Sequence, residues 1–549
     1  MFPFQNISDY TLYFKESPPL ALAGVSAHAR ECGENHKRGV NGCTINADEY
    51  GTRRIFKVDP PDMARLTCTQ WWLARQRDFA LRVTAPFENA ESLGNIPAWE
   101  DFSRRLSERG VEHTFHLIVK GVESLLPFTT LLQRAEGLLI RECSLTSLEE
   151  LKELGRLRTV EMLKCRGSFS FAPLASCPNL ETVRAPLVTG VTSVEELGKI
   201  RTLRQVTLNG LAVGSFDFLS GCTLLEWVHG SYCPGLTSLN GLCGLPRLKV
   251  VNVKCSGIEN IRGLTGCVAL TSVDVSSCGV LSSLDGLSGL ENLRHVNAHR
   301  CGVANIQGLT GCVALERLDV GWCHQLTSLE GLSGLKNLTS VTAGHSGITN
   351  IRGLTGCVTL ETVDVDSCKE LSSLDGLSGL KNLKTVYARG SGIHNVRGLA
   401  GCLALEAVHL DDCEKLTSLE GLSGLLNLET VRIGHSGVES TRDLSGCVAL
   451  RSVEAAFCEK LTSLDGLSGL PNLASVNVAY TGVKDILGLS SCVALESVDL
   501  EACKSLTSLK SLSGLPNLKS VNAKFTWAPQ SEWPEGCPAL ESVTFHSVF

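Results

Sequence analysis

The chain has 549 residues, 50 Lys and Arg against 57 Asp and Glu, and a net charge of −7. That balance argues against bulk capture of nucleic acid or of an acidic membrane, because no strong basic excess exists. No run of about 18 apolar residues is present to span a bilayer, and the opening Met-Phe-Pro-Phe-Gln-Asn-Ile-Ser lacks the basic and apolar regions of a secretory leader.

Residues 1–111 differ in composition from the rest, with Trp71, Trp72, Trp99, clustered prolines and a higher density of arginine. Pro60 and Pro61 suit the start of a helix over residues 59–82, and a second helix is expected over 97–109. His28, Cys32, His36 and Cys43 are four potential zinc ligands, but their spacing is looser than the close pairs of structural zinc sites. A polar loop accounts for them, and no metal is assigned. The stretch Arg54-Ile-Phe-Lys-Val-Asp59-Pro60-Pro61-Asp62-Met63, followed by Cys68-Thr-Gln-Trp71, resembles the F-box pattern. That resemblance implies docking of a Skp-type adaptor, with C-terminal repeats capturing a substrate for ubiquitination. Two departures weaken it: Gly51 interrupts the first helix, and the segment between Met63 and Cys68 is two residues short.

From Cys177 onward one cysteine recurs every 45 residues, through Cys222, Cys267, Cys312, Cys357, Cys402, Cys447 and Cys492 to Cys537. A second series, Cys233 to Cys503, keeps the same period. Self-similarity at a fixed distance means stacked copies of one supersecondary unit. Each period holds two units, of 23 and 22 residues. One reads Cys357-Val-Thr-Leu360-Glu-Thr-Val363-Asp-Val365-Asp-Ser-Cys368-Lys-Glu-Leu371, the other Leu380-Lys-Asn-Leu383-Lys-Thr-Val386-Tyr-Ala388-Arg-Gly-Ser391-Gly-Ile393. Val363 and Val365 alternate with Asp364 and Asp366, so one strand per coil is expected with one face buried. The return, Leu374-Asp-Gly-Leu-Ser-Gly-Leu380, is too short and glycine-rich for a three-turn helix, which leaves turns or 3₁₀ segments. Nineteen coils are expected between Ile140 and Phe545.

Each unit fits the L-x-x-L-x-L-x-x-N/C-x-L signature, the second lacking one residue between its polar position and the following aliphatic, so residues 112–549 resemble leucine-rich-repeat proteins. The resemblance implies a solenoid with a parallel sheet on one face, preceded by a small mixed or helical N-terminal region that caps its core. The 22-residue halves look like the subclass found in a regulator of type-1 protein phosphatase and in bacterial internalins. The cysteine-rich phrases Leu-Thr-Ser-Leu-Glu-Gly-Leu-Ser-Gly-Leu and Gly-Cys-Val-Ala-Leu-Glu-Ser-Val-Asp also look like repeat proteins of trypanosomatids.

Equivalent cysteines such as Cys368 and Cys413 fall two coils apart, roughly 9–10 Å, too far for a disulfide. Cys278, Cys301 and Cys323 occupy adjacent coils, roughly 5 Å apart, where a bridge is sterically possible. The Cys357 type replaces a core leucine and is expected to act as a small buried hydrophobe. Cys368 and its successors alternate with Ser346, Ser391, Ser436, Thr481 and Thr526 along one edge. So many structural thiols imply a reducing, intracellular and cytoplasmic setting.

The non-core positions of the strands form columns. One runs Asn252, Asp274, Asn297, Asp319, Thr342, Asp364, Tyr387, His409, Arg432, Glu454, Asn477, Asp499, Asn522. The next holds Lys254, His299, Asp366, Arg389, Asp411 and Glu501, and one step on come Arg300, Trp322, His345, Asp412, His435, Phe457, Tyr480 and Phe525. The middle coils mix aromatic groups with both charge signs, and Tyr, Trp and Arg are common interface anchors. The candidate partner-binding patch is Trp322, Asp364, Asp366, Tyr387, Arg389, His409, Asp411, Arg432, Phe457 and Tyr480. No P-loop, nucleophile elbow, zinc-protease or kinase signature occurs, so neither an enzyme nor a cofactor is expected. The final strand, near Leu540 to Phe545 with Val548 and Phe549 after it, is expected to be covered by a partner or a second copy. The sequence thus points to a cytoplasmic, non-enzymatic scaffold that binds a protein on its strand face, without nucleic acid or membrane. The alternatives are an F-box-type ubiquitin-ligase substrate receptor and, from repeat subclass, a phosphatase regulatory subunit.

Overall fold

The computed structural model describes residues 79–88, 90–108 and 113–545, together with the backbone of two strands, Cys43–Ala47 and Arg54–Val58. His28, Cys32, His36, Trp71, Trp72, Val548 and Phe549 lie outside the described residues, so the zinc, adaptor-docking and terminal-edge expectations are not addressed by it. The chain divides into two compact units, 1–118 and 119–549. The expected boundary at 111/112 falls among residues that are not described.

In the first unit, Cys43–Ala47 pairs antiparallel with Arg54–Val58, which pairs parallel with Phe79–Phe87. The helix expected over 59–82 is corrected at its end, because residues 79–82 belong to that strand. Helix-forming Ala and Leu there are overridden by pairing with 54–58, and Val83, Ala85 and Phe87 continue a buried period-two face. The helix expected over 97–109 forms as Ile96–Glu108. Its spacing buries Trp99, Phe102 and Leu106, and Trp99 meets Phe102 and Phe115 edge-on at 6.2 and 6.3 Å.

In the second unit, each coil supplies one strand to a continuous parallel ladder, from Gly137–Arg141 to Ser542–Thr544. From Thr182–Arg184 onward each strand is three residues long, because the chain must turn as soon as its buried pair is placed. The register holds without a slip: Val341 faces Val363, then Val386, Val408, Val431, Val453 and Val476. The return side is turns and 3₁₀ segments such as Arg352–Leu354, as the glycine content predicts. Gly353 lets successive coils approach, since a Cβ there would lie 2.0 Å from the Leu329 carbonyl oxygen.

The core is Leu, Val and Ile, closed by thiols that also form hydrogen bonds. Cys357 is buried, and its thiol donates to the Leu332 carbonyl at 3.2 Å, so it is more than the apolar filler expected. Cys368 donates to the Ala343 carbonyl at 3.3 Å, and the Ser346 hydroxyl donates to the same oxygen at 2.6 Å. Ser346 Oγ then lies 3.6 Å from Cys368 Sγ, joining thiol and hydroxyl across coils. Cys278, Cys301 and Cys323 are free thiols, each donating to its own carbonyl, on Val253, Val275 and Ala298.

Candidate functional site

The first column of the strand face has a structural duty in many coils. Asp274, Asn297, Asp319, Asp364, Asn477 and Asp499 each accept the backbone N–H two residues on, at 2.9–3.1 Å. Such side chains end the strand and steer the chain into its turn. Thr342 lacks that device, as do Glu161, Arg184, Thr207 and His229 nearer the amino end, and four consecutive central coils lack it too, with Tyr387, His409, Arg432 and Glu454 there. The N–H of Arg389 is rescued by Asp366 Oδ1 of the preceding coil, at 2.7 Å. In these coils the position is free of the strand-ending duty.

The third column carries a backbone feature that the sequence conceals. Trp322, His345, Ser367, Asp412, His435, Phe457, Tyr480 and Phe525 all have φ between 56° and 62°, the left-handed region, and Gly390 joins them at 64°. Bulky residues rarely adopt this conformation, and here it recurs at each turn off the sheet. It lets rings of neighbouring coils stack face to face, at a separation set by the spacing of parallel strands. Arg300 lies over Trp322 at 5.0 Å, and Trp322 stacks on His345 at 4.1 Å. His435, Phe457 and Tyr480 form a second stack at 4.5 and 4.6 Å. These rings remain open to solvent, with Trp322 37%, Phe457 43% and Tyr480 42% exposed.

Between the two stacks the pattern inverts. Beside the rings of the two stacks the second column holds Gly321, Gly344, Gly434, Ala456 and Ala479. In the three intervening coils the third column shrinks to Ser367, Gly390 and Asp412, and the second carries Asp366, Arg389 and Asp411. The strand face is therefore aromatic, then charged, then aromatic. Arg389 Nε donates to Asp412 at 2.8 Å, and Arg432 Nε donates to Asp411 at 3.1 Å. Tyr387 stacks on His409 at 4.7 Å, and burial together with the Arg432 charge holds the His409 pKa below its ordinary value. Burial pushes the Asp366 carboxyl up, with adjacent Asp364 adding to the shift.

The ten expected site residues thus fall on one face but in distinct roles. Trp322 belongs to the first stack, Phe457 and Tyr480 to the second, and Asp364, Asp366, Tyr387, Arg389, His409, Asp411 and Arg432 to the charged block. Asp364 is also a strand-ending acceptor and not simply a surface charge. His345, His435 and Asp412 complete the stacks and an ion pair but were left out of the expected patch; their shared column was the available signal. Depressions elsewhere, one of about 210 Å³ around Glu330, Asn350, Arg352 and Asp375, recur two coil pairs away around Asn260, Arg262 and Asp285. They belong to the shape of the repeat. Among the described residues no group of His, Cys, Asp or Glu is placed to hold a metal ion, and no helix is long and apolar enough to cross a membrane.

No protein-family model matches the chain, and no curated protein matches it. Solved structures do. A chain of the Toll–Spatzle complex of Drosophila is similar over 90% of this chain and 69% of that one, at 11% identity and a TM-score of 0.55. The fold is a leucine-rich-repeat solenoid. An internalin of Listeria monocytogenes is similar over 57% of the solenoid-bearing chain and 84% of its own, at 18% identity and a TM-score of 0.42. A leucine-rich-repeat protein of Leptospira interrogans follows over 74% and 98%, at 14% identity and a TM-score of 0.46. At these identities the likeness concerns the fold alone.

Proposed function

We propose that the protein is a non-enzymatic scaffold that captures a protein partner on the strand face of its solenoid. The observation that carries this reading is the central run of coils, Tyr387 to Glu454, where face positions free of the strand-ending Asn or Asp adjoin exposed ring stacks. Sheet-face positions under structural duty elsewhere are there occupied by Tyr, His, Arg and Glu, beside exposed ring stacks. Exposed aromatic and arginine side chains in one contiguous face are the usual anchors of protein interfaces. A reducing, cytoplasmic setting is part of the proposal, because each ladder thiol must keep its proton to donate to a carbonyl. The cysteine-rich 22/23-residue unit supports placing the protein beside the trypanosomatid repeat proteins.

The test is affinity purification of the full chain with identification of bound proteins. Wild type is compared with Phe457→Ser/Tyr480→Ser, with Arg352→Ser on the loop edge, and with Trp71→Ala/Trp72→Ala. Partners lost only in the Phe457/Tyr480 variant, with circular dichroism unchanged, support the scaffold. Partners retained by that variant overturn the strand-face assignment. A Skp-type adaptor lost only in the tryptophan variant would establish the ubiquitin-ligase alternative instead.

A further inference from the structure

The charged block between the ring stacks has an unbalanced centre. Its two arginines are engaged, Arg389 with Asp412 and Arg432 with Asp411. Asp364, which ends its strand, and Asp366, in the turn just after it, form no ion pair among the described residues, and each has one oxygen committed to a backbone N–H. Above them the third column is nearly empty, with Ser367 and Gly390 where other coils place rings. A Cβ at Gly390 would meet only Ser367, at 3.6 Å from Oγ and 3.9 Å from Cα, so the space is open. The near wall of this gap is His345, whose other face is covered by Trp322 at 4.1 Å. The same column shows how a cation fits such a wall, because Arg300 lies over Trp322 at 5.0 Å. A planar cation in the gap would continue the stack by one rung and offset the repulsion between two neighbouring carboxylates.

We propose that the partner presents an arginine side chain to the gap over Ser367 and Gly390, where its guanidinium stacks on His345 and pairs with Asp364 and Asp366. This rests on the strand face being the binding face and specifies the chemistry of what it binds: a cationic, arginine-bearing protein segment. Guanidinium is favoured over ammonium because the slot has a flat aromatic wall and two adjacent carboxylates, which suit a planar donor fork.

The probe is fluorescein-labelled hexaarginine, with hexalysine as comparison, followed by anisotropy against the full chain at near-physiological salt. Asp364→Asn/Asp366→Asn keeps the oxygens that accept the two backbone N–H groups and removes both charges. It is expected to weaken hexaarginine about 10-fold. Asp285→Asn/Asp375→Asn on the loop edge, an equal change in charge, is expected to weaken it less than about 2-fold. Ser367→Trp, which fills the gap without changing charge, is expected to abolish the preference for hexaarginine over hexalysine. Equal losses in both aspartate pairs would reduce the effect to bulk charge and overturn the proposal. So would full binding by Ser367→Trp, or equal affinity of the two peptides for wild type. Sedimentation of the chain alone completes the test: self-association abolished by Asp364→Asn/Asp366→Asn would assign the gap to a second copy, against the proposal. If the peptides fail while Phe457→Ser/Tyr480→Ser still loses a protein, the scaffold stands and the cationic partner alone falls.

Discussion

Phe457 offers a direct test of whether the third column stores backbone strain. Its φ is 62°, and its ring stacks on His435 at 4.5 Å and Tyr480 at 4.6 Å. The left-handed region costs an L-residue about 1–2 kcal/mol. Glycine escapes that cost but loses about 0.5–1 kcal/mol through the greater freedom of its unfolded chain. Phe457→Ala and Phe457→Gly both lose the two stacks, worth about 0.5–1.5 kcal/mol each, and only the glycine variant relieves the backbone. The glycine variant is therefore expected to be about 0.5–1 kcal/mol more stable than the alanine variant, the reverse of the order in strands and helices. Gly390 gives the mirror experiment: φ is 64° and a Cβ would make only ordinary contact, so Gly390→Ala is expected to lose about the same 0.5–1 kcal/mol through conformation alone. A repeat array does not unfold in two states, so the assay is native-state hydrogen exchange of amides in the flanking coils. Greater protection in Phe457→Ala than in Phe457→Gly, with Gly390→Ala neutral, would refute the strain argument.

Thr441 stands where other coils place Ile351, Val396 or Ile486, fully buried, and its hydroxyl has no hydrogen-bond partner among the described residues. Thr441→Val is expected to stabilise its coils by about 1–2 kcal/mol, read as slower exchange around 441–467; a loss would mean that the hydroxyl is satisfied in solution. For Asp366, burial raises the folded pKa above the ordinary 3.8, so the protonated form is favoured by the fold. Stability is fully present below that value and is lost as pH rises through the folded pKa. Asp366→Asn is therefore expected to melt above wild type at pH 7, with the difference vanishing at pH 3, and a variant melting below wild type at neutral pH would contradict the burial cause. Burial also pushes Cys267, Cys312 and Cys323 up to about 11 and Cys301 up to about 12. Among the described cysteines, native alkylation at pH 8 is expected to modify exposed Cys243 first and to spare this set until the protein is unfolded.

The solenoid was legible because its information is periodic. The spacing of Val363 and Val365 within a coil, and of Cys357 between coils, sets strand, register and core together, and pairing such as Val363 with Val386 follows the expected columns. The first column was also legible, but its Asn and Asp looked like surface polarity, since hydrogen bonding to their own turn leaves no mark beyond residue type. The left-handed third column was hidden for a different reason. Glycine or asparagine ordinarily signals that conformation, and here Trp322, Phe457 and Tyr480 adopt it because the ladder on both sides dictates the turn. Near the amino end, residues 79–82 have helical propensity, and no local pattern reveals that a strand at 54–58 recruits them.

Because thiol and hydroxyl alternate from coil to coil beyond Cys323, the heritable unit there is a pair of coils. Removal of one 45-residue stretch would rejoin like with like, Cys beside Ser, and leave no seam in the hydrogen-bonded edge. Removal of a single coil would set two equal halves against each other. Lengthening or shortening by pairs would slide the two ring stacks together or apart in steps of roughly 9–10 Å, without disturbing either. The solenoid is in that sense a ruler with fixed graduations, able to match a partner's dimensions by counting coils before any contact residue changes.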